Sequence, residues 1–165
     1  MLVHAQTKDT NQFVFTSIDE AVLEPLSVYR LAISDLSDIA RLTEVSKFPN
    51  LEYLSLAGMN QVAIPPQLFG LKRLKILDLS GNKFTSLPQE LLNLESLEEL
   101  YLNRDLDLDM DQAFSVLSKL NNLKVLSLKN DSLLRIPESI SGLKKLEILD
   151  LGGNRFSELP ESMVK

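Results

Sequence analysis

The side chains able to do chemistry are few. Among 165 residues there is one histidine, His4, and no cysteine, while 23 Asp and Glu outnumber 17 Lys and Arg. A serine nucleophile needs a base within hydrogen-bond reach, and the single imidazole lies at the N-terminal extreme, so a Ser-His-Asp triad is not available. Composition excludes disulfides, thiolate metal sites and cysteine nucleophiles. No Gly-x-Gly-x-x-Gly or P-loop cradles a phosphate; Ser80-Gly81-Asn82 and Gly152-Gly153-Asn154 read as turns, where glycine supplies backbone freedom.

Carboxylates are the remaining chemistry. Asp105-Leu-Asp-Leu-Asp-Met-Asp111 alternates acids in a way that invites calcium. An EF-hand loop starting at Asp105 would need Gly and Glu where Met110 and Val116 stand, and one starting at Asp107 meets Gln112 and Ser118. The same stretch reads better as a helix start. Asp109 or Asp111 is the cap, and Met110, Ala113, Phe114, Leu117 and Leu120 form an apolar stripe at helical spacing. No metal or cofactor is expected.

What must position any site is a repeat. Leu74-Lys-Ile-Leu-Asp-Leu-Ser-Gly-Asn82-Lys-Phe84-Thr-Ser-Leu87-Pro88 nearly copies Leu146-Glu-Ile-Leu-Asp-Leu-Gly-Gly-Asn154-Arg-Phe156-Ser-Glu-Leu159-Pro160. Extended both ways, the frame starts at Val28, Leu51, Leu74, Leu97, Leu123 and Leu146, at intervals of 23 residues except for one of 26. Leu-x-Leu has the period of two that sends alternate side chains to opposite faces of a strand. The Leu-Pro and later leucines, such as Leu87, Leu91 and Leu94, return the chain across the back. One coil cannot bury its own leucines, so stability must come from stacking neighbours. Parallel strands joined by such returns give a curved, right-handed coil with the sheet on its concave side.

This frame resembles the leucine-rich-repeat family, in its 23-residue class, over residues 28–165. The resemblance implies an α/β solenoid with a short parallel sheet on the concave face and irregular, 3-10 or helical returns on the convex one. It also implies a non-enzymatic module that binds a protein partner, and the style of the N-terminal cap is that of a bacterial member. The ninth position, usually Asn, has an amide that can pair with backbone groups from coil to coil; here it reads Leu36, Met59, Asn82, Asp105, Asp131, Asn154.

Residues 1–27 are read as an N-terminal extension and cap, and 28–165 as six repeats with the last truncated. Within the cap, Phe13-Val14-Phe15 is a strand candidate. Ser17-Ile-Asp-Glu20 matches a capping box opening a helix that runs to about Leu23 or Glu24, with Ile18, Val22 and Leu26 over the first coil. No comparable cover follows Pro160. Either the natural chain continues there, or that end is covered by a partner or by a second copy, giving a homodimer.

Net charge of −6 argues against nucleic acid, whose phosphates call for Lys and Arg, and against an anionic membrane surface. No stretch approaches the roughly 20 apolar residues of a membrane span. Val3-His4-Ala5 has the small-residue spacing of a signal-peptidase site, so the start is either an export remnant or an ordinary terminus.

A partner is expected on the strand residues that face out: Tyr53, Ile76, Asp78, Tyr101 and Arg104, with Lys129 and Asp150 outer. Asp78 and Asp150 share a strand position three repeats apart, roughly 14 Å at about 4.8 Å per strand, too far for a glycosidase pair, which needs about 5–10 Å. Seven acidic and five basic residues on the outward positions leave this face nearly balanced. Six strands offer about 360 Å² of flat area, against the roughly 800 Å² that a specific interface takes from each side. Two other readings stand beside protein binding: a surface protein recognising glycan or peptide, and a structural spacer.

Overall fold

The computed structural model describes residues 13–163. Val3, His4 and Ala5 lie outside them. Six three-residue strands, β1 (Arg30–Ala32), β2 (Tyr53–Ser55), β3 (Ile76–Asp78), β4 (Glu99–Tyr101), β5 (Val125–Ser127) and β6 (Ile148–Asp150), pair in parallel and in chain order. The register follows the sequence period: Arg30, Tyr53, Ile76, Glu99, Val125 and Ile148 lie side by side. One coil therefore equals one repeat, and the sheet is open.

Each strand from β2 to β6 begins on a shared carbonyl. Tyr29 O accepts the amides of both Glu52 and Tyr53, at 2.8 and 3.0 Å, and Glu52, Lys75, Glu98 and Lys124 do the same for the coils that follow. The middle leucines, Leu31, Leu54, Leu77, Leu100 and Leu126, point inward and are completely buried. Leu87, Leu91 and Leu94 close the core from behind as expected.

The convex returns are mostly short 3-10 helices, Pro66–Gly70, Gln89–Asn93, Glu138–Gly142 and Glu161–Met163, with a longer one at Leu36–Lys47. Proline explains their placement. With φ fixed near −65°, Pro65, Pro88 and Pro137 pre-set the entry and lend their carbonyls to Leu68, Leu91 and Ile140, at 3.1–3.2 Å. In the 26-residue coil the extra residues make a true α-helix, named α2 here (Met110–Leu117), capped by Asp109, whose side chain accepts the Gln112 amide at 3.1 Å. Ala113, Phe114 and Leu117 are fully buried, so the helical reading of the acidic stretch holds. Gln112 then stitches α2 to the previous coil, accepting from Leu87 N at 2.8 Å and donating to Leu87 O at 2.7 Å.

The ninth position forms a ladder. Asn82 Nδ2 donates to the Leu56 and Leu79 carbonyls, at 3.0 and 2.6 Å, while its Oδ1 accepts Gln61 N at 2.9 Å. Asn154 repeats this with Leu128, Leu151 and the amides of Asp131 and Leu133. Met59 fills the same place by burial alone, and Leu36 leaves it: Leu36 is exposed and opens a 3-10 helix capped by Asp35.

At the N-terminus, α1 (Ile18–Ala21) starts where Ser17 accepts the Glu20 amide at 3.2 Å. It ends two residues earlier than expected. Pro25 opens a separate 3-10 turn, Pro25–Ser27, and this change of path swings Leu26 out to 69% exposure while Ala21 joins Ile18 on the first coil. The strand candidate contracts to one bridge, in which Phe15 exchanges backbone bonds with Arg30 and Ala32 beside β1. Asp38 accepts the Ile18 amide, and an Asp19–Arg41 ion pair ties the cap down further.

Candidate functional site

The concave face is built from the outward residues of β1–β6 and the turn after each strand. At the first strand position all the side chains are half-buried by their neighbours except Ile148, which is exposed. Arg30 lies over Tyr53, its guanidinium carbon 4.1 Å from the ring centroid, a cation–π contact. Tyr53 then pairs with Ile76, and Asp78 with Tyr101. Four expected site residues, Tyr53, Ile76, Asp78 and Tyr101, thus occupy three adjacent strands.

Hydrogen bonds decide what each can offer. Tyr101 donates its hydroxyl to Glu99 Oε2 at 2.8 Å; burial and that neighbouring carboxylate push its phenol up to about 12, so it stays a neutral donor. Asp78 and Asp150 do the same local work: Oδ1 of each accepts the amide two residues on, Ser80 N at 3.0 Å and Gly152 N at 3.2 Å, closing the turn. Asp150 also pairs with Lys129 at 2.6 Å, and Lys129 holds its carboxyl below the ordinary range. Lys129 and Asp150 are therefore engaged with each other. At the third strand position Ser55 and Ser127 point outward yet are buried, Ser55 beside Asp78 and Ser127 between Tyr101 and Asp150, and Ser127 donates to Asn103 Oδ1 at 2.7 Å.

Beyond the strands, the eighth residue of five successive coils has a left-handed backbone: Gly58 (φ 73°), Gly81 (69°), Arg104 (63°), Asn130 (58°) and Gly153 (74°). The cause is a ladder at the sheet margin. In that conformation the amides of Gly58, Gly81, Arg104 and Asn130 reach the carbonyl of the next coil's turn, at 2.7–3.0 Å. Glycine takes this conformation freely, and side chains take it at a cost. Arg104 nevertheless occupies it, exposed, and makes no ion pair among the described residues. Together with Lys129, Asn103 and Asp78 it borders a groove of about 480 Å³ whose floor is the small residues Ala57, Gly58, Ser80 and Gly81.

Two acids, Asp105 at the head of the acidic stretch and Asp131, are buried and stand outside the expected site. Their signal was in the sequence: both fall in the ninth-position column, which the frame places inside. On the last coil Leu146, Leu149, Leu151 and Phe156 are only partly buried and Met163 is 39% exposed. Among the described residues no group of three or more His, Cys, Asp or Glu could hold a metal, and no helix is long and apolar enough to cross a membrane.

A family model described as leucine rich repeat matches residues 49–106 and 113–156, more than half of the chain. Among solved structures, a leucine-rich-repeat protein of Leptospira interrogans superposes over 92% of this chain and 50% of its own, with 19% identity and a TM-score of 0.61. Internalin C2 of Listeria monocytogenes covers 76% of this chain and 52% of its own, with 27% identity and a TM-score of 0.57. The Toll–Spatzle complex of Drosophila matches 90% of this chain over 20% of that one, with 16% identity and a TM-score of 0.69. The chain spans about half the length of the two bacterial structures. A search of curated proteins by sequence returned no match. Parallel coils in register, a shared leucine interior and the repeat match place the chain in the leucine-rich-repeat family, generally a non-enzymatic scaffold for protein interaction.

Proposed function

We propose that this chain binds a protein or peptide partner on its concave face, from Tyr53, Ile76, Asp78 and Tyr101 on the strands to Arg104 at the turn margin, with Lys129 and Asp150 at the edge. The observation that carries this reading is Arg104. Strained backbone persists where the surroundings enforce it, and the coil-to-coil ladder enforces this one; a strained position filled by a large unpaired cation points to use. A guanidinium beside a shallow groove suits a carboxylate of the partner, which it can grip through two parallel hydrogen bonds. Tyr53 and Tyr101 supply large contact area at low entropic cost, the type of residue in which binding energy concentrates.

The fold serves a complex with another protein in Toll, whose structure is that of an assembly with Spatzle. Flat strand area alone is small, so the partner must also engage the turns, where Arg104 stands. The test is affinity capture with the parent and a Tyr53→Ala/Tyr101→Ala variant, with folding checked by circular dichroism. Loss of captured partners supports the reading; unchanged recovery by a folded variant overturns it and favours a spacer.

A further inference from the structure

Coils three and six close their ladder with Asn82 and Asn154, and coils four and five with Asp105 and Asp131. An asparagine there uses both ends of its amide: Oδ1 accepts from backbone of the preceding coil, and Nδ2 donates to two leucine carbonyls at 2.6–3.0 Å. The aspartates reproduce only the accepting half. Asp105 Oδ1 accepts Asn82 N at 3.0 Å, and Asp131 Oδ1 accepts Asp105 N at 2.9 Å. The second oxygen of each, Oδ2, is buried and has no hydrogen-bond partner, in residues only 1% and 4% exposed.

By the equivalence of the coils, Oδ2 stands where an amide nitrogen donates in coils three and six. The corresponding acceptors are the carbonyls of Leu79 and Leu102 for Asp105, and of Leu102 and Leu128 for Asp131. A carboxylate oxygen among acceptors is an uncompensated buried charge, whereas a carboxylic acid O–H satisfies the same place. We infer that Asp105 and Asp131 enter the native fold as neutral carboxylic acids, each donating through Oδ2 the bond that an asparagine amide gives, so that coils four and five meet at a proton-dependent joint.

The surrounding charges agree. Burial, with the neighbouring charges of Asp131 and Asp78 adding to it, takes Asp105 up to about 7 against the opposing bond from the Asn82 amide. Burial takes Asp131 to about 6 against the amides of Asp105 and Arg104. The ionic groups of the adjoining turns are otherwise engaged or outward: Lys129 pairs with Asp150, Asp111 with Arg135, Asp109 caps α2, and Arg104 and Asp107 are exposed. These folded values lie above the ordinary carboxylate value of the unfolded chain, so above about pH 4 the native state holds protons that the unfolded state has released. Stability is then fullest in acid, falls as pH rises from about 4 through the folded values of about 6 to 7, and is level above them, the reverse of a salt-bridged carboxylate.

Urea unfolding of the full chain at closely spaced pH values from 4.5 to 8 tests this against an Asp105→Asn/Asp131→Asn variant. The parent's unfolding constant should rise from pH 4.5, by up to about tenfold per pH unit for each acid below its folded value, and level off above about pH 7. The variant should lack that rise and exceed the parent in stability at pH 8. Parallel curves would overturn the inference. So would calcium chloride stabilising the parent but not the variant at pH 8, since the two oxygens would then hold a cation. Should the double variant not fold, infrared difference spectra of the parent decide: a protonated-carboxyl stretch that disappears between pH 5 and 8 supports the joint, and none at pH 5 overturns it.

Discussion

Arg104 and Gly81 occupy the same turn position in adjacent coils and share a left-handed backbone, with φ of 63° and 69°. The amide of each bonds the carbonyl of the following coil, so the conformation belongs to the fold and not to the residue. Arg104→Gly should therefore stabilise the chain by about 0.5–1 kcal/mol in urea unfolding, because glycine carries no Cβ penalty there. Arg104→Ala keeps the penalty and should unfold close to the parent. Both should capture less partner. A glycine variant that gains no stability would show the turn to be unstrained.

Removing the amide of Asn82 leaves the Gln61 amide and the Leu56 and Leu79 carbonyls without it. Asn82→Ala should cost roughly 2–4 kcal/mol, since each buried group left unpaired loses its hydration without replacement. A loss below about 1 kcal/mol in denaturant unfolding would mean that water enters the turn.

Leu77 and Leu149 hold the same frame position, yet Leu77 is completely buried and Leu149 is only partly so. Leu77→Ala should cost about 3–4 kcal/mol and Leu149→Ala distinctly less, because a cavity forms only where neighbours close the site on all sides. Equal losses by urea unfolding would show that the sixth coil is covered in solution.

The second repeat position alternates in sign, Glu52, Lys75, Glu98, Lys124, Glu147, and ion pairs link Lys75 to Glu52 at 2.9 Å and Lys124 to Glu98 at 2.7 Å. Lys75→Glu sets three acids in a row. It should cost about 0.5–1 kcal/mol at low salt and much less at high ionic strength, because exposed pairs are weak and screened. The salt dependence of the thermal midpoint is the measurement.

Spacing of leucines carried most of the fold. A side chain that recurs every 23 residues can be buried only if each coil stacks on the next, and that single condition put Leu54, Leu77 and Leu100 inside and set the strand register. Local chemistry was equally legible where it depends on near neighbours. Ser17 and Asp109 cap their helices because the amide each satisfies lies three residues away.

What the sequence could not weigh was contact between coils. Leu26 and Leu36 are as apolar as any core residue, but a 3-10 path turns both into solvent. Ser55 and Ser127 alternate outward with the strand, yet the neighbouring strands cover them. Lys129 reads as a free cation until the next coil brings Asp150 to it. The sequence alone determined the repeat, its interior and the strands whose outward side chains make the concave face, since periodicity acts on every coil alike. Only tertiary structure decided which outward residues are free, covered or paired, because those outcomes depend on the size and charge of whatever side chain the adjacent coil places alongside.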